Sequence, residues 1–268
     1  MKGRVLICAG SDSGGGAGIQ ADIKAVTALG AFAMTAITAL TAQNTLGVQG
    51  VMGVEPDFIR RQMRCVLEDL GADALKTGML HDVATIEAVC DEIAESAPGL
   101  PLVADPVMVA TSGSRLLADD AMETLRARLL PIATVITPNI PEAEALTGLS
   151  IEDEAGMRAA AEALMAQGAR AVLLKGGHLT GPALVDLLVT PQGVDRYEDR
   201  RIETRHTHGT GCTLASAVAA GLAQGMALEP AVRRARAYVR AAILHAPGYG
   251  AGHGPLDHAV TMDPARLG

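Results

Sequence analysis

The sequence predicts an α/β fold with a mostly parallel central sheet, helices on both faces and an antiparallel hairpin at one edge. Three observations carry this expectation. Short apolar runs alternate with amphipathic helical patterns through nearly the whole chain. Several of those runs are continuously apolar, as strands buried on both faces must be. Leu184 to Val189 and Val194 to Tyr197 are separated by Thr190-Pro191-Gln192-Gly193, a hairpin signature.

The elements follow in order. Arg4 to Ala9 reads as a buried strand. Gly18 to Leu29 reads as a helix, with Ile19, Ile23, Val26 and Leu29 on one face. Met34 to Leu40 is a second strand, and Val48 to Val54 a short β segment before a helix from Pro56 to Leu70. Ala74 to Thr77, Leu102 to Ala104, Val135 to Thr137 and Ala171 to Lys175 are further short strands. Helices are predicted over Val83 to Glu95, Ala118 to Leu129, Pro141 to Thr147, Glu154 to Gln167, Gly211 to Ala223 and Glu229 to His245.

At 268 residues with 49% hydrophobic content, the chain is long enough to bury a substantial core. No internal repeat, linker or composition break divides it, so a single domain over residues 1–268 is expected. The net charge of −8 and the absence of Trp argue against a nucleic-acid partner, which needs a basic face or stacking rings. Arg60, Arg61 and Arg64, and later Arg233, Arg234 and Arg236, read most simply as solvated helix faces. Cys8, Cys65, Cys90 and Cys212 lie far apart, with no zinc spacing. No run approaches the ~20 apolar residues of a membrane helix, and no signal peptide is visible. A reduced, cytoplasmic, soluble protein with no membrane partner is expected.

Polar loops fall at the carboxyl ends of the expected strands, where ligands bind in such sheets. His206-Thr207-His208-Gly209-Thr210-Gly211-Cys212-Thr213 runs into an apolar helix. A helix start presents unpaired N–H groups and a partial positive charge, and glycines let a phosphate approach them. The segment reads as an anion hole with Cys212 in the first helical turn, or as a loop that merely turns into a core helix. Residues 10–18 hold five glycines, fitting either a hinge over substrate or a tight structural turn. Asp22 lies one turn into the next helix, facing the same cleft or serving as a dipole partner.

Gln43, after the second strand, carries an acceptor and two donors, the complement of an aminopyrimidine edge; a turn residue bonding its own backbone is the alternative. Met79 pads a flat ring or fills core. Asp105 and Glu142 suit Mg²⁺, which takes few carboxylates plus waters and phosphates. Asn139 and Glu142, three apart, equally suit a helix cap with its reciprocal glutamate. Lys175 is placed to meet ATP phosphates. Acidic and cationic groups at strand ends beside an anion hole make a phosphoryl-transfer layout.

Six motifs in order extend this reading: Gly10-Ser11-Asp12 with Gly15-Gly16-Ala17-Gly18-Ile19-Gln20-Ala21-Asp22, then Ala42-Gln43-Asn44-Thr45, Asp105-Pro106-Val107-Met108, Thr137-Pro138-Asn139 with Glu142, Lys175-Gly176-Gly177-His178, and the segment from His206 to Thr213. Together they resemble the hydroxymethylpyrimidine/phosphomethylpyrimidine kinases of thiamine biosynthesis, in the ribokinase-like superfamily, from Val5 to about His258. The resemblance implies a ribokinase-like three-layer α/β/α sandwich. It implies two ATP- and Mg²⁺-dependent phosphorylations at one site, of 4-amino-5-hydroxymethyl-2-methylpyrimidine and then of its monophosphate. Gln43 would read the pyrimidine, with Asp22, Met79, Val107 and Gly16 around it. Gly209, Thr210, Gly211 and Cys212 would form the catalytic anion hole. Lys175, Asn139, Thr207 and His208 would serve ATP, and Asp105 and Glu142 the metal. A homodimer is implied too. Gly14 departs from the Ser of many relatives, which removes a hydroxyl and adds loop freedom.

Cys212 stands where sugar kinases of the superfamily place an Asp. A helix N-terminus lowers a thiol's pKa, so a partial thiolate acting as weak base is expected; a small packing residue is the alternative. Two other functions compete: a pyridoxal kinase of the same fold, disfavoured by Gln43-Asn44-Thr45, and a noncatalytic pyrimidine-binding module, which would not need anion hole, carboxylates and Lys175 together.

Overall fold

The structure, a computed structural model, describes residues 2–108, 116–117 and 120–262. Within them the strands form one nine-stranded sheet in the order β3-β2-β1-β4-β5-β6-β7-β8-β9. β1 (Arg4–Asp12), β2 (Phe32–Asn44), β4 (Ala74–Thr77), β5 (Leu102–Ala104), β6 (Val135–Ile136) and β7 (Val172–Lys175) run parallel. β8 (Ala183–Thr190) and β9 (Gly193–Arg200) close one edge as the expected antiparallel hairpin. β3 (Gly47–Gly53) closes the other, antiparallel to β2, and this second hairpin was not foreseen. Gly47, Gly50 and Gly53 and its exposed side chains leave β3 without the apolar alternation that betrays a paired strand.

Successive residues of β1 feed opposite cores. Val5, Ile7 and Ala9 pack with α1 (Gly18–Ala28), α7 (Thr210–Ala223) and α8 (Leu228–Leu244). Leu6 and Cys8 pack on the other face with α2 (Pro56–Asp69), α3 (Val83–Ser96), α5 (Ile140–Thr147) and α6 (Glu154–Ala166). The three-layer α/β/α arrangement follows from this period of two. α7 is enclosed on all sides over Thr213 to Gly221, which are all buried, and a Cβ on Gly221 would stand 2.6 Å from that of Ala231 on α8.

A helix and two strands also differ from expectation. The helix expected over Ala118 to Leu129 has residues 118–119 outside the described ones. The remainder is a short α4 (Ala121–Thr124), a π turn (Leu125–Leu129) and a 3-10 turn (Leu130–Ile132). Pro131 lacks an N–H and its ring blocks helical continuation, so the segment ends in irregular turns. β1 and β2 run past Ala9 and Leu40 to Asp12 and Asn44, each with a register shift, between Ala9 and Ser11 and between Ala42 and Gln43. Such bulges re-aim side chains, and here they sit beside the cleft. Among the described residues no helix is long and apolar enough to cross a membrane.

The arginine clusters are not plain solvated faces. Arg233 is exposed and pairs with Glu229, but Arg236 is nearly buried, bonded to Asp186 and Asp199 and stacked 5.0 Å from the Tyr197 ring. Arg60 and Arg64 both reach the buried Glu92. Long stems covering apolar surface let these cations sit inward.

Candidate active site

A cleft of about 880 Å³ runs along the carboxyl ends of the parallel strands. Its floor at one end is the start of α7. Gly209 is the N-cap, with φ +82, and a Cβ there would collide with the Gly16 carbonyl. Thr210, Gly211 and Cys212 follow in the first turn and line the cleft. A Cβ on Gly211 would stand 3.1 Å from Lys175 Nζ and 3.7 Å from Asp105 Oδ2. The glycine therefore leaves room for a ligand between the helix N-terminus, a cation and a carboxylate.

Lys175 ends β7, and its Nζ lies 3.1 Å from Asp105 Oδ1 and 3.9 Å from Glu142 Oε2. Thr137 donates to the same Asp105 oxygen at 2.9 Å. Burial alone would lower the Lys175 ammonium, but Asp105 and Glu142 outweigh it and hold it above the ordinary lysine value. Burial and the nearby Asp105 push Glu142 up to about 7, against the pull of Lys175 and the backbone N–H groups of Asn139 and Met108. Asn139 and Glu142 also form the reciprocal helix cap: the Glu142 N–H donates to Asn139 Oδ1 at 2.9 Å, and the Asn139 N–H to Glu142 Oε2 at 2.8 Å. The cap and the cleft thus share one carboxylate.

Cys212 does not carry the lowered thiol expected of a helix N-terminus. Burial pushes it up to about 12; Lys76 and the Gly18 N–H pull it down, but Asp22 and Asp105 push the same way as burial. The local dipole is overruled by two carboxylates and desolvation.

Asp22 is placed differently from expectation. It is absent from the cleft wall and fully buried behind it, where both its oxygens accept from Lys76 Nζ at 2.9 Å and Oδ1 accepts from Ser216 at 2.7 Å. Lys76, given no role in the sequence reading, borders the cleft, though its side chain is as fully buried as that of Asp22. Burial opposes its charge, yet Asp22, Cys212 and Asp105 together raise its ammonium above the ordinary value. Gly16 also stands back: a Cβ there would strike the His208 ring.

His208 and Thr207 line the cleft, but the partners of His208 are Asp12 and Gln43 rather than Lys175. Its Nε2 lies 2.9 Å from Asp12 Oδ2 and 3.2 Å from the Gln43 amide. Asp12 accepts the N–H groups of Gly14, Gly16 and Ala17 as well. Burial would raise its carboxyl, but His208 and the N–H groups of Ala17 and Gly14 hold it below the ordinary value. Gln43, aimed by the β2 bulge, shares this wall with Met79 and Val107. Leu184, Leu214, Val239 and Ile243 supply apolar lining to the cleft, and Asp186 ties the Gly176 N–H at 2.9 Å to Arg236 at 2.8 Å. Asp12, Lys76, Asp186 and Arg236 escaped sequence reasoning because their partners are distant in the chain, as much as 196 residues for Asp12. Among the described residues, no three His, Cys, Asp or Glu side chains gather as a metal cage.

The model of the phosphomethylpyrimidine kinase family matches residues 12–257. The chain belongs to the phosphomethylpyrimidine kinase family. The hydroxymethylpyrimidine/phosphomethylpyrimidine kinase of Streptomyces coelicolor is 50% identical over 258 residues, covering 96% of this chain and 95% of that one. The thiamine biosynthesis bifunctional protein of Geobacter sulfurreducens is 50% identical over 265 residues, 99% of this chain; the chain spans 54% of that longer protein. The fold is ribokinase-like: a Bacillus subtilis pyridoxal kinase solved as an ADP complex superposes with a TM-score of 0.90 at 36% identity, covering 98% of this chain and 100% of that one. As a member of this kinase family, the chain uses ATP.

Proposed function

We propose that residues 1–268 act as a single kinase domain. It phosphorylates 4-amino-5-hydroxymethyl-2-methylpyrimidine with ATP and then converts the monophosphate to the pyrophosphate. The observation that carries this reading is the space at Gly211, bounded by the α7 N-terminus, Lys175 and Asp105, with Gln43 on the same cleft. In it the N–H groups of Thr210 to Cys212 stabilise the transferring phosphoryl group as its charge spreads, and Lys175 orients the phosphates. The apolar lining of Leu214, Val239 and Ile243 holds the base of ATP.

The donor set fits Mg²⁺. Asp105 and Glu142 bring two carboxylates to the single ammonium of Lys175, and the surplus negative charge is one reason Glu142 titrates near 7. Oxygen donors few in number and close to phosphates are what this cation takes. When bound, Mg²⁺ would neutralise charge on the ATP phosphates.

Cys212 acts as a neutral thiol. Phosphoryl transfer has a loose transition state that asks little of a base. The phosphate nucleophile of the second step is already ionised, and an uncharged thiol admits that dianion. The expected setting is a cytoplasmic homodimer.

The likeness to pyridoxal kinase gives a second reading. Purified protein with ATP, Mg²⁺ and either the pyrimidine or pyridoxal, followed by mass, separates the two. Mono- then diphosphorylated pyrimidine supports the first; a single phosphate placed preferentially on pyridoxal supports the second.

A further inference from the structure

Oxygen and nitrogen of a side-chain amide are told apart by their partners. Gln43 as placed directs Nε2 at His208 Nε2 (3.2 Å) and Oε1 at Thr41 Oγ1 (3.2 Å). Both contacts are chemically mismatched. Asp12 is a carboxylate that accepts three backbone N–H groups, so the proton between it and His208, 2.9 Å apart, resides on His208 Nε2. That nitrogen is then a donor, and it faces a donor on Gln43. Thr41 has one hydroxyl proton, and the nearer acceptor, the Ser11 carbonyl at 2.9 Å, takes it. Its oxygen is left facing the Gln43 oxygen, lone pair against lone pair.

Turning the amide by 180° repairs both contacts at once. Gln43 Nε2 then donates to Thr41, and Oε1 accepts from the His208 Nε2–H that Asp12 also shares. We propose that Thr41 and the Asp12–His208 pair are positioning residues that fix the Gln43 amide with its oxygen toward His208, and that this orientation decides which end of the substrate ring reaches the anion hole. The amide keeps one N–H on the Thr41 side and one lone pair on the His208 side for a ligand.

A ring nitrogen beside an exocyclic amino group pairs with that arrangement in one sense only. The ring nitrogen accepts on the Thr41 side, and the amino group donates on the His208 side. The hydroxymethyl group is attached next to the amino-bearing carbon, so it lies beyond the amino group. The chain leads from His208 into Gly209, the N-cap of α7, and the proposal takes the hydroxymethyl group to that side. Turning the ring over does not alter this, because the pairing fixes which edge atom lies on which side. A 4-oxo analogue, with ring N–H and carbonyl in place of ring nitrogen and amino group, pairs only in the opposite sense and sends its alcohol away from the anion hole.

This inference rests on the pyrimidine-kinase reading, and the experiment keeps the two apart. Steady-state phosphorylation of 4-amino-5-hydroxymethyl-2-methylpyrimidine and its 4-oxo analogue is compared in the wild type, Thr41→Val and Thr41→Ser, with KM for ATP as a control for an intact fold. Thr41→Val frees the amide to turn. The expected result is a fall of about tenfold or more in the amino-over-oxo ratio of kcat/KM, unchanged KM for ATP, and recovery of the ratio in Thr41→Ser. An unaltered ratio in Thr41→Val overturns the orientation while leaving the kinase reading intact. A wild type that phosphorylates neither ring overturns the kinase reading itself. High-field NMR of the Gln43 side-chain amide gives an independent readout: one amide proton shifts when Thr41→Val removes its acceptor, and no shift overturns the proposal.

Discussion

The Lys76 ammonium lies 2.9 Å from both carboxylate oxygens of Asp22, and neither side chain reaches solvent. Removing one member strands the other charge without water, which costs about 3–5 kcal/mol. Lys76→Met and Asp22→Asn are each expected to lower the denaturant midpoint strongly. Lys76→Met combined with Asp22→Leu should cost far less than the sum of the singles, because no isolated charge remains. Additive losses in urea unfolding would show that the pair is not energetically coupled.

Cys212 is expected to be a poor nucleophile at neutral pH, since alkylation requires the thiolate and its thiol is pushed up to about 12. Timed iodoacetamide labelling mapped by mass should modify the exposed Cys65 first, and rapid labelling of Cys212 would contradict the neutral thiol. Cys212→Ser should keep turnover within about tenfold. Cys212→Asp should hurt the second phosphorylation more than the first, because a carboxylate repels the incoming phosphate; equal losses would count against this electrostatic account.

Gly209 and Gly211 are two residues apart, yet their alanine variants should fail differently. Gly209 has φ +82 and abuts the Gly16 carbonyl, so Gly209→Ala is expected to destabilise the fold by about 1–3 kcal/mol. Gly211→Ala is expected to leave thermal stability intact while cutting kcat at least tenfold, because its methyl enters the space beside Lys175 and Asp105. Melting curves measured beside steady-state rates for both variants make the test; a Gly211→Ala protein of full activity would move the phosphate elsewhere.

His258 links stability to pH. Its Nε2 lies 2.9 Å from Thr213 Oγ1 in the first turn of α7, and burial, aided by Lys24, lowers it to about 4. In the unfolded chain it titrates near 6.5. Between those values the unfolded state binds more protons, so stability is complete above about pH 6.5 and falls as pH drops toward 4, by up to about 3 kcal/mol. Urea titrations at pH 7 and pH 5 should differ accordingly, and His258→Gln should shrink the difference. An unchanged pH dependence in that variant would remove His258 from the account.

What could be read from the sequence was local. β5 stands where a three-residue apolar run placed it, and β4 over the short segment expected for it, although Lys76 and Thr77 interrupt its apolar character. The Asn139–Glu142 cap was legible too, being a contact across three residues. Asp22 was read as facing the cleft, or as a dipole partner, from its place one turn into α1; its partner Lys76, 54 residues away on the buried β4, gives no periodic signal. His208 was assigned to ATP by the family resemblance, whereas Asp12 and Gln43 hold it through pairings across 196 and 165 residues. Side chains that chain neighbours orient can be foreseen; those oriented by tertiary partners cannot.

Asp105, Thr137 and Lys175 belong to successive strand ends, Thr137 bonding Asp105 sideways and Lys175 joining from the next strand. Side chains alternate faces along a strand. Deleting one residue from β5 or β7 would therefore turn Asp105 or Lys175 away from its neighbours, even if the sheet re-formed. The Pro191-Gln192 turn between β8 and β9 lies at the rim, with Gln192 exposed. Length variation in this chain should accordingly be tolerated at that rim and forbidden within the short central strands, so an alignment of its descendants ought to show gaps in the first place and none in the second.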